Sequence, residues 1–166
     1  SEAAQNFFKK CFQFKGRIRR SEYWWGALTV AIASAVLSLI PFVGWVALIF
    51  LAIGGISMLF RRLHDTGRSG WWWGCQTIIG LVAGALFFSA IDFHAYMMAA
   101  QSQDATEMMR VLSAGMTGGA GIFALLLYLV NGALGIVIFV FTLLDSKPEA
   151  NKYGESPKYV VEQTEE

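Results

Sequence analysis

Four long apolar runs that carry no charged residue constrain the fold of this chain more than any other feature. They cover residues 23–40, 43–60, 71–91 and 122–144. Each holds roughly 18–23 residues, which at about 1.5 Å per residue matches a hydrocarbon core of about 30 Å. Because lipid offers no partner to unpaired backbone groups, such runs must be helical. The sequence therefore predicts four membrane-spanning helices, with a tight turn at Pro41 between the first two.

The composition is that of an integral membrane protein. Of the 166 residues, 55% are hydrophobic and only 15% are charged, which is more apolar surface than a soluble domain of this length can bury. The predicted fold is all-α: a four-helix membrane bundle over residues 23–144. An interfacial segment (1–22) precedes it, and a polar, partly disordered tail (145–166) follows. The formal net charge of +1 argues against a polyelectrolyte partner, so no nucleic acid is expected.

The positions of the cations predict an orientation for this bundle. With four crossings, all but one of the 13 basic residues fall on the same side of the membrane, and only Arg110 falls on the other. The positive-inside rule then places both termini in the cytoplasm and makes residues 92–121 an outer loop. Residues 3–14 have an amphipathic pattern. This pattern predicts a short helix that lies either in the membrane interface or against the cytoplasmic loops.

The densest polar segment, residues 61–70, lies between the second and third runs. Arginine presents a planar fork of donors that suits phosphate oxygens. This segment and the cations before the first run predict a face for an anionic lipid or ligand. Its candidate residues are Arg17, Arg20, Arg61, Arg62, His64, Arg68 and Ser69.

Three acids near the ends of the runs are candidates to pair with these arginines: Glu22, Asp65 and Asp145. For Asp65 the candidate partners are Arg17, Arg20, Arg62 and Arg68. Two interpretations stay open. The ions form a salt-bridged lattice that fixes the helix ends, or they form an anion site, and both can hold together.

Small residues within and beside the runs predict faces where helix backbones approach closely. Asn131, near the middle of the fourth run, is expected to form a hydrogen bond between helices. The candidate packing residues are Gly80, Gly84, Gly118, Gly121, Asn131, Gly132 and Gly135. These faces suit seams within one chain, and a homo-oligomer or a membrane-protein partner stays open.

Catalytic chemistry finds little support in the sequence. Residues 67–70 match the Gly-x-Ser-Gly pattern of intramembrane serine proteases, but neither His64, in the same loop, nor His94, across the membrane, is placed as a base for Ser69. No metal-ligand spacing and no phosphate-binding glycine loop is present. No catalytic residue, metal site or cofactor is therefore predicted.

Three motifs in order resemble the DUF805 family of small bacterial inner-membrane proteins. They lie at residues 14–25, at 61–72 with its Arg-Arg-Leu-His-Asp block, and at 151–157. Glu155 stands where the third motif of the family tends to have a proline, and the segment 92–121 is long for the family. The resemblance implies a multi-pass protein of the bacterial inner membrane and supplies no biochemical activity.

The function predicted from the sequence is that of a non-enzymatic inner-membrane protein. It would bind anionic lipid, or a membrane partner, through its arginine-rich face. A small transporter or channel component is the alternative, supported by polar residues inside the runs, none of which is ionisable. A membrane enzyme that acts on lipid is the third interpretation.

Overall fold

The computed structural model describes residues 10–40 and 42–159, without the side chain of Val43. Within these residues the chain is all-α, as expected, and forms no strand. An isolated bridge joins Asn151 to Gly154. The predicted amphipathic helix over 3–14 lies for the most part outside the described residues. The helices are α1 (Arg20–Leu37), α2 (Val43–Asp65), α3 (Trp71–Ala90), α4 (Phe93–Gln101), α5 (Ala105–Thr117) and α6 (Gly119–Leu143).

The prediction of a four-helix bundle is wrong. The described residues form six helices, and three of these are long and apolar enough to cross a membrane: Gly44–Asp65, Trp71–Ala90 and Gly119–Leu143. The placement of both termini in the cytoplasm depended on an even number of crossings. Three candidate spans therefore do not support it.

The first apolar run fails as a span because its helix is short. α1 begins at Arg20, so its first turn carries Arg20 and Glu22, and it ends at Leu37. The predicted run continues to Ile40, but residues 38–40 form a turn. About 15 uncharged helical residues remain, or roughly 22 Å, against a hydrocarbon core of about 30 Å.

The chain divides into two compact units. Unit 1 comprises residues 1–71 and 139–166, and unit 2 comprises residues 72–138. In unit 1, α1 packs against α2 around a small core of Ile18, Leu51 and Met58. Gly26 on α1 is buried, and a Cβ atom there would lie 2.6 Å from the Met58 sulfur. The Met58 side chain therefore fills the space that this glycine leaves.

Unit 2 contains two helices in the segment that the sequence indicated as an outer loop. Asp92 begins α4 by accepting a hydrogen bond from the Ala95 N–H at 2.9 Å. Asp104 begins α5 by accepting from the N–H groups of Thr106 and Glu107. Such aspartates satisfy backbone donors that the first helical turn leaves unpaired. Glu107 also forms an exposed ion pair with Arg110, and this guanidinium lowers the Glu107 pKa.

The close approach of α5 and α6 requires glycine. A Cβ atom on Gly121 would lie only 2.0 Å from the carbonyl oxygen of Gly115, which is rigid backbone. Any side chain at position 121 would therefore push the two helices apart. Gly132, on the same helix α6, has nothing within 4 Å of its Cβ position.

The remaining packing residues predicted from the sequence vary in their surroundings. Gly80 faces the Asn131 side chain, and Gly135 faces the amide of Gln76. The Gln76 amide donates to the Asn131 backbone carbonyl at 3.4 Å, so a hydrogen bond joins α3 to the backbone of α6. Gly84 lies in ordinary contact with Tyr128, and Gly118 lies in ordinary contact with the backbone of residues 114–115.

We expect Gly121→Ala to destabilise the protein by about 1–3 kcal/mol, because the added methyl group overpacks a backbone contact. Gly132→Ala is the matched control on the same helix and should leave stability unchanged or slightly raised. Thermal unfolding of the two purified variants in the same detergent measures the difference. Equal midpoints for both variants would contradict the close approach.

Candidate functional site

The polar centre of unit 1 is the carboxylate of Asp65, the last residue of α2. Its side chain is fully buried. The guanidinium of Arg17 donates to Oδ1 at 3.0 Å, and that of Arg62 donates to Oδ2. The hydroxyl of Ser146 donates to Oδ2 as well, at 2.5 Å. We call these four residues the Asp65 cluster. Two of the four arginines named from the sequence thus pair with Asp65.

Arg17 uses all five of its N–H donors within unit 1. Besides the Asp65 carboxylate, its guanidinium donates to four backbone carbonyl oxygens. These acceptors belong to Asp65 (3.2 Å), Lys147 (2.6 Å), Glu149 (2.8 Å) and Gly154 (3.1 Å). A planar fork with five donors is the only side chain that can satisfy such an arrangement. Arg17 therefore holds the C-terminal tail to the end of α2.

Arg62 binds the C-terminal end of α6. Its side chain is fully buried, and it donates to the carbonyl oxygens of Thr142 at 3.2 Å and of Leu144. A third carbonyl, that of Ile18, accepts at 3.4 Å. Two guanidiniums against one carboxylate leave an excess positive charge. Carbonyl groups at the negative ends of α2 and α6 compensate it.

His64 joins the third sequence motif to the cluster. Its Nδ1 lies 3.1 Å from the Gly16 carbonyl oxygen, which can only accept, so Nδ1 carries the proton. The ring stacks on Tyr153 with centroids 3.7 Å apart and planes 7° apart. The Asn151 amide donates to the His64 carbonyl oxygen at 2.9 Å. Asn151 and Tyr153 thus bind the tail to α2 beside the Arg17 contacts.

Arg61 is buried on another face of α2. It donates to the carbonyl oxygens of Ser57 and Lys10, each at 3.4 Å. The carboxylate of Glu22 is near enough to act on the charge of Arg61. Arg61 therefore faces protein groups, and its side chain has little surface to offer a ligand.

The other predicted site residues lie nearer the surface. Arg20 is exposed and donates to the Leu143 carbonyl oxygen at 3.2 Å. Arg68 lies over the ring of Phe141 at 3.8 Å from its centroid and donates to the Thr66 carbonyl. The Ser69 hydroxyl accepts from the Trp71 N–H at 3.3 Å. His64 and Ser69 thus have different partners, and the structure brings no histidine to this serine.

Asp145 pairs with a lysine and not with an arginine. The Lys158 ammonium donates to its carboxylate, as do the backbone N–H of Ser146 and the hydroxyl of Tyr159. These donors, led by Lys158, lower the Asp145 pKa to about 2. This exposed pair fixes the tail a second time, next to Ser146 of the Asp65 cluster.

Sequence reasoning missed the tail as part of this site. Ser146, Asn151 and Tyr153 were not among its candidates, although the third motif was a usable signal for two of them. Among the described residues, no group of three or more histidines, cysteines, aspartates or glutamates could hold a metal ion. The arrangement can order the helix ends and the tail.

Comparisons with known proteins agree with the sequence motifs. The family model described as "Protein of unknown function (DUF805)" matches residues 11–155. Inner membrane protein YhaI of Escherichia coli (strain K12) is 37% identical over 67 residues, which is 36% of this chain and 57% of YhaI. Inner membrane protein YhaH of the same organism is 42% identical over 71 residues, or 36% of this chain and 59% of YhaH.

The chain thus spans just under three-fifths of the length of these curated relatives. No solved structure shows a significant match to it. The predicted location, a bacterial inner membrane that the chain crosses more than once, is confirmed by these relatives and by the three candidate spans.

We expect Asp65→Asn to lower the free energy of unfolding by about 3–5 kcal/mol, because it leaves the buried guanidiniums of Arg17 and Arg62 without their anion. Asp145→Asn makes the same substitution in an exposed pair and should change stability little. Thermal unfolding in detergent compares the two. An Asp65→Asn variant as stable as the parent would show that the cluster does not support the fold.

We expect Arg17→Lys to destabilise the protein although it keeps the charge, because an ammonium has three donors and cannot reach five acceptors. Arg19→Lys, two residues away on an exposed side chain, is the control and should have no effect. Limited proteolysis of the tail gives a second readout besides the melting temperature. Equal protection of residues 145–159 in both variants would argue against Arg17 as the anchor of the tail.

Proposed function

This chain belongs to the DUF805 family of proteins of unknown function, and we propose that it is a non-enzymatic inner-membrane protein that binds anionic lipid headgroups. The proposed binding surface consists of exposed cations that the Asp65 cluster positions. We call this surface, made of Lys15, Arg19, Lys147 and Lys152, the basic face.

The burial of the arginines divides the cations of unit 1 into two groups. Arg17, Arg61 and Arg62 donate to protein oxygens and have little surface left for a ligand. The four side chains of the basic face are exposed, and none forms an ion pair among the described residues. Among the described residues, Arg20 and Arg68 donate to backbone carbonyls.

One contact carries the proposal. Arg17 binds the Lys147 carbonyl oxygen at 2.6 Å. Lys15 and Arg19 lie two residues to either side of Arg17, and Lys152 lies two residues before Gly154, which Arg17 also binds. The Arg17 guanidinium therefore holds together the backbone segments that carry the cations of the basic face. Each cation held near an anionic membrane surface contributes about 1 kcal/mol to the attraction.

Aromatic side chains beside the basic face support a position at the membrane surface. Trp24 and Trp25 lie in the first turns of α1, directly after the cations, and both are exposed. Tryptophan concentrates at the level of the lipid headgroups. Phe14, next to Lys15, is exposed as well.

The alternative of a small transporter or channel component has one observation in its favour. The Oδ1 atom of Asn131, in unit 2, is buried and has no hydrogen-bond partner among the described residues. A buried acceptor without a donor is a point where a water or a polar solute can bind. No aspartate, glutamate, histidine, lysine or arginine accompanies it on α6.

The lipid proposal is tested with the variant that changes all four cations of the basic face to glutamine. We expect native mass spectrometry to show most of the preference for phosphatidylglycerol over phosphatidylcholine lost, with the melting temperature unchanged. Arg19→Gln and Arg110→Gln form a matched pair of single variants. Only the first should weaken retention, because Arg110 lies in unit 2 and pairs with Glu107.

Two outcomes would count against the proposal. Retention of phosphatidylglycerol by the fourfold variant at the level of the parent protein would show that the basic face does not bind headgroups. An equal loss for Arg19→Gln and Arg110→Gln would show that net charge, and not this surface, determines retention.

A further inference from the structure

The turn between α1 and α2 is apolar where a loop in water would be polar. No charged residue occurs from Tyr23 to Phe60. At the turn, Leu39 is 81% exposed, Phe42 is 86% exposed and Trp45 is 75% exposed. We infer that this turn, whose described residues are 38–40 and 42–45, is embedded in the hydrocarbon of the bilayer and contacts lipid acyl chains. It does not emerge into water.

The length of the first arm, α1, places the turn inside the bilayer. Arg20 and Arg62, at the bases of α1 and α2, donate to the carbonyls of the neighbouring residues Leu143 and Leu144. Both arms therefore start at the same polar end of unit 1. The uncharged part of α1 rises by roughly 22 Å from this end, which is short of a core of about 30 Å, and the turn follows it directly.

Part of the backbone of the turn is paired within the chain, which lowers the cost of burying the turn in lipid. The N–H groups of Leu39, Ile40 and Gly44 donate to the carbonyls of Val36, Leu37 and Ile40 at 3.0–3.2 Å. The hydroxyl of Ser38 donates to the Ala35 carbonyl at 2.8 Å. Pro41 has no N–H to satisfy.

Close contact makes this turn compact enough to stay in lipid. A Cβ atom on Gly44 would lie 2.0 Å from the Leu37 carbonyl oxygen, so only glycine lets α2 begin against the end of α1. Gly44 is itself buried. The polar backbone therefore lies inside the turn, and the large side chains cover its outside.

The occupant of this surface follows from its continuity with the membrane-facing surface of the arms. Val46, Ile49 and Phe50 are exposed on α2, which is a candidate span, and Ile32 and Val36 are exposed on α1. These side chains continue the apolar surface of the turn, with no charged residue between them. Acyl chains that surround the arms therefore surround the turn as well.

The test uses single cysteines in a background with Cys11→Ser and Cys75→Ser. Leu39→Cys, reconstituted in vesicles, should resist a membrane-impermeant maleimide supplied on both sides and react once detergent is added. Ser102→Cys, exposed between α4 and α5, is the control and should react in intact vesicles. Trp45→Cys repeats the test at a second position of the turn. Labelling of Leu39→Cys or Trp45→Cys in intact vesicles would overturn the inference.

A second measurement distinguishes lipid from a protein that covers the turn. A fluorophore attached to the introduced thiol of the Leu39→Cys variant before reconstitution should be quenched by phosphatidylcholine that carries a nitroxide. Quenching should be stronger with the nitroxide deep in the acyl chain than with the nitroxide on the headgroup. Protection from maleimide without quenching by either lipid would mean that a second copy of the chain covers the turn. That result would overturn the assignment to acyl chains.

Discussion

The structure of unit 1 depends on one buried carboxylate. Asp65 has no exposed surface, so its charge is tolerable only with close cationic partners and further donors. Arg17, Arg62 and Ser146 supply them. The second guanidinium then creates the opposite problem, an uncompensated positive charge. Backbone carbonyls at the ends of α2 and α6 solve it, because their dipoles point their negative ends toward the arginines.

This solution explains why segments far apart in the sequence meet. The carbonyls that satisfy Arg17 come from residues 65–154, and those that satisfy Arg62 come from residues 18–144. A lysine in either place would leave acceptors without donors. The same contacts remove these arginines from the surface. The lattice interpretation therefore applies to the buried arginines, and the anion site that we propose is formed by other residues, Lys15, Arg19, Lys147 and Lys152.

The sequence predicted the membrane location and the helical class because composition and apolar run length determine both. It also named two true partners of Asp65, since acids and arginines at the ends of apolar runs have few other partners. The predicted number of spans is wrong because the apolar run continues to Ile40, whereas the helix ends at Leu37. α4 and α5 were missed although Asp92 and Asp104 are ordinary helix-starting residues, because the segment was interpreted only as the connection between two spans. The contacts of the C-terminal tail join segments that are far apart in the sequence, and a local sequence pattern cannot predict such contacts.

The Asp65 cluster and the apolar turn lie at opposite ends of the α1–α2 hairpin. The cluster holds the charged residues at the base, which leaves the turn free of charge. All charges of the α1–α2 hairpin lie at its base, where Arg20 and Arg62 bind the end of α6. A helix that is fixed at its base by guanidiniums and closed at its tip by internal hydrogen bonds does not need to reach water on the far side. α1 can therefore be too short to span the membrane and still place no charged group in lipid. A charge placed in the turn would oppose insertion, whereas a charge lost at the base would loosen the anchor.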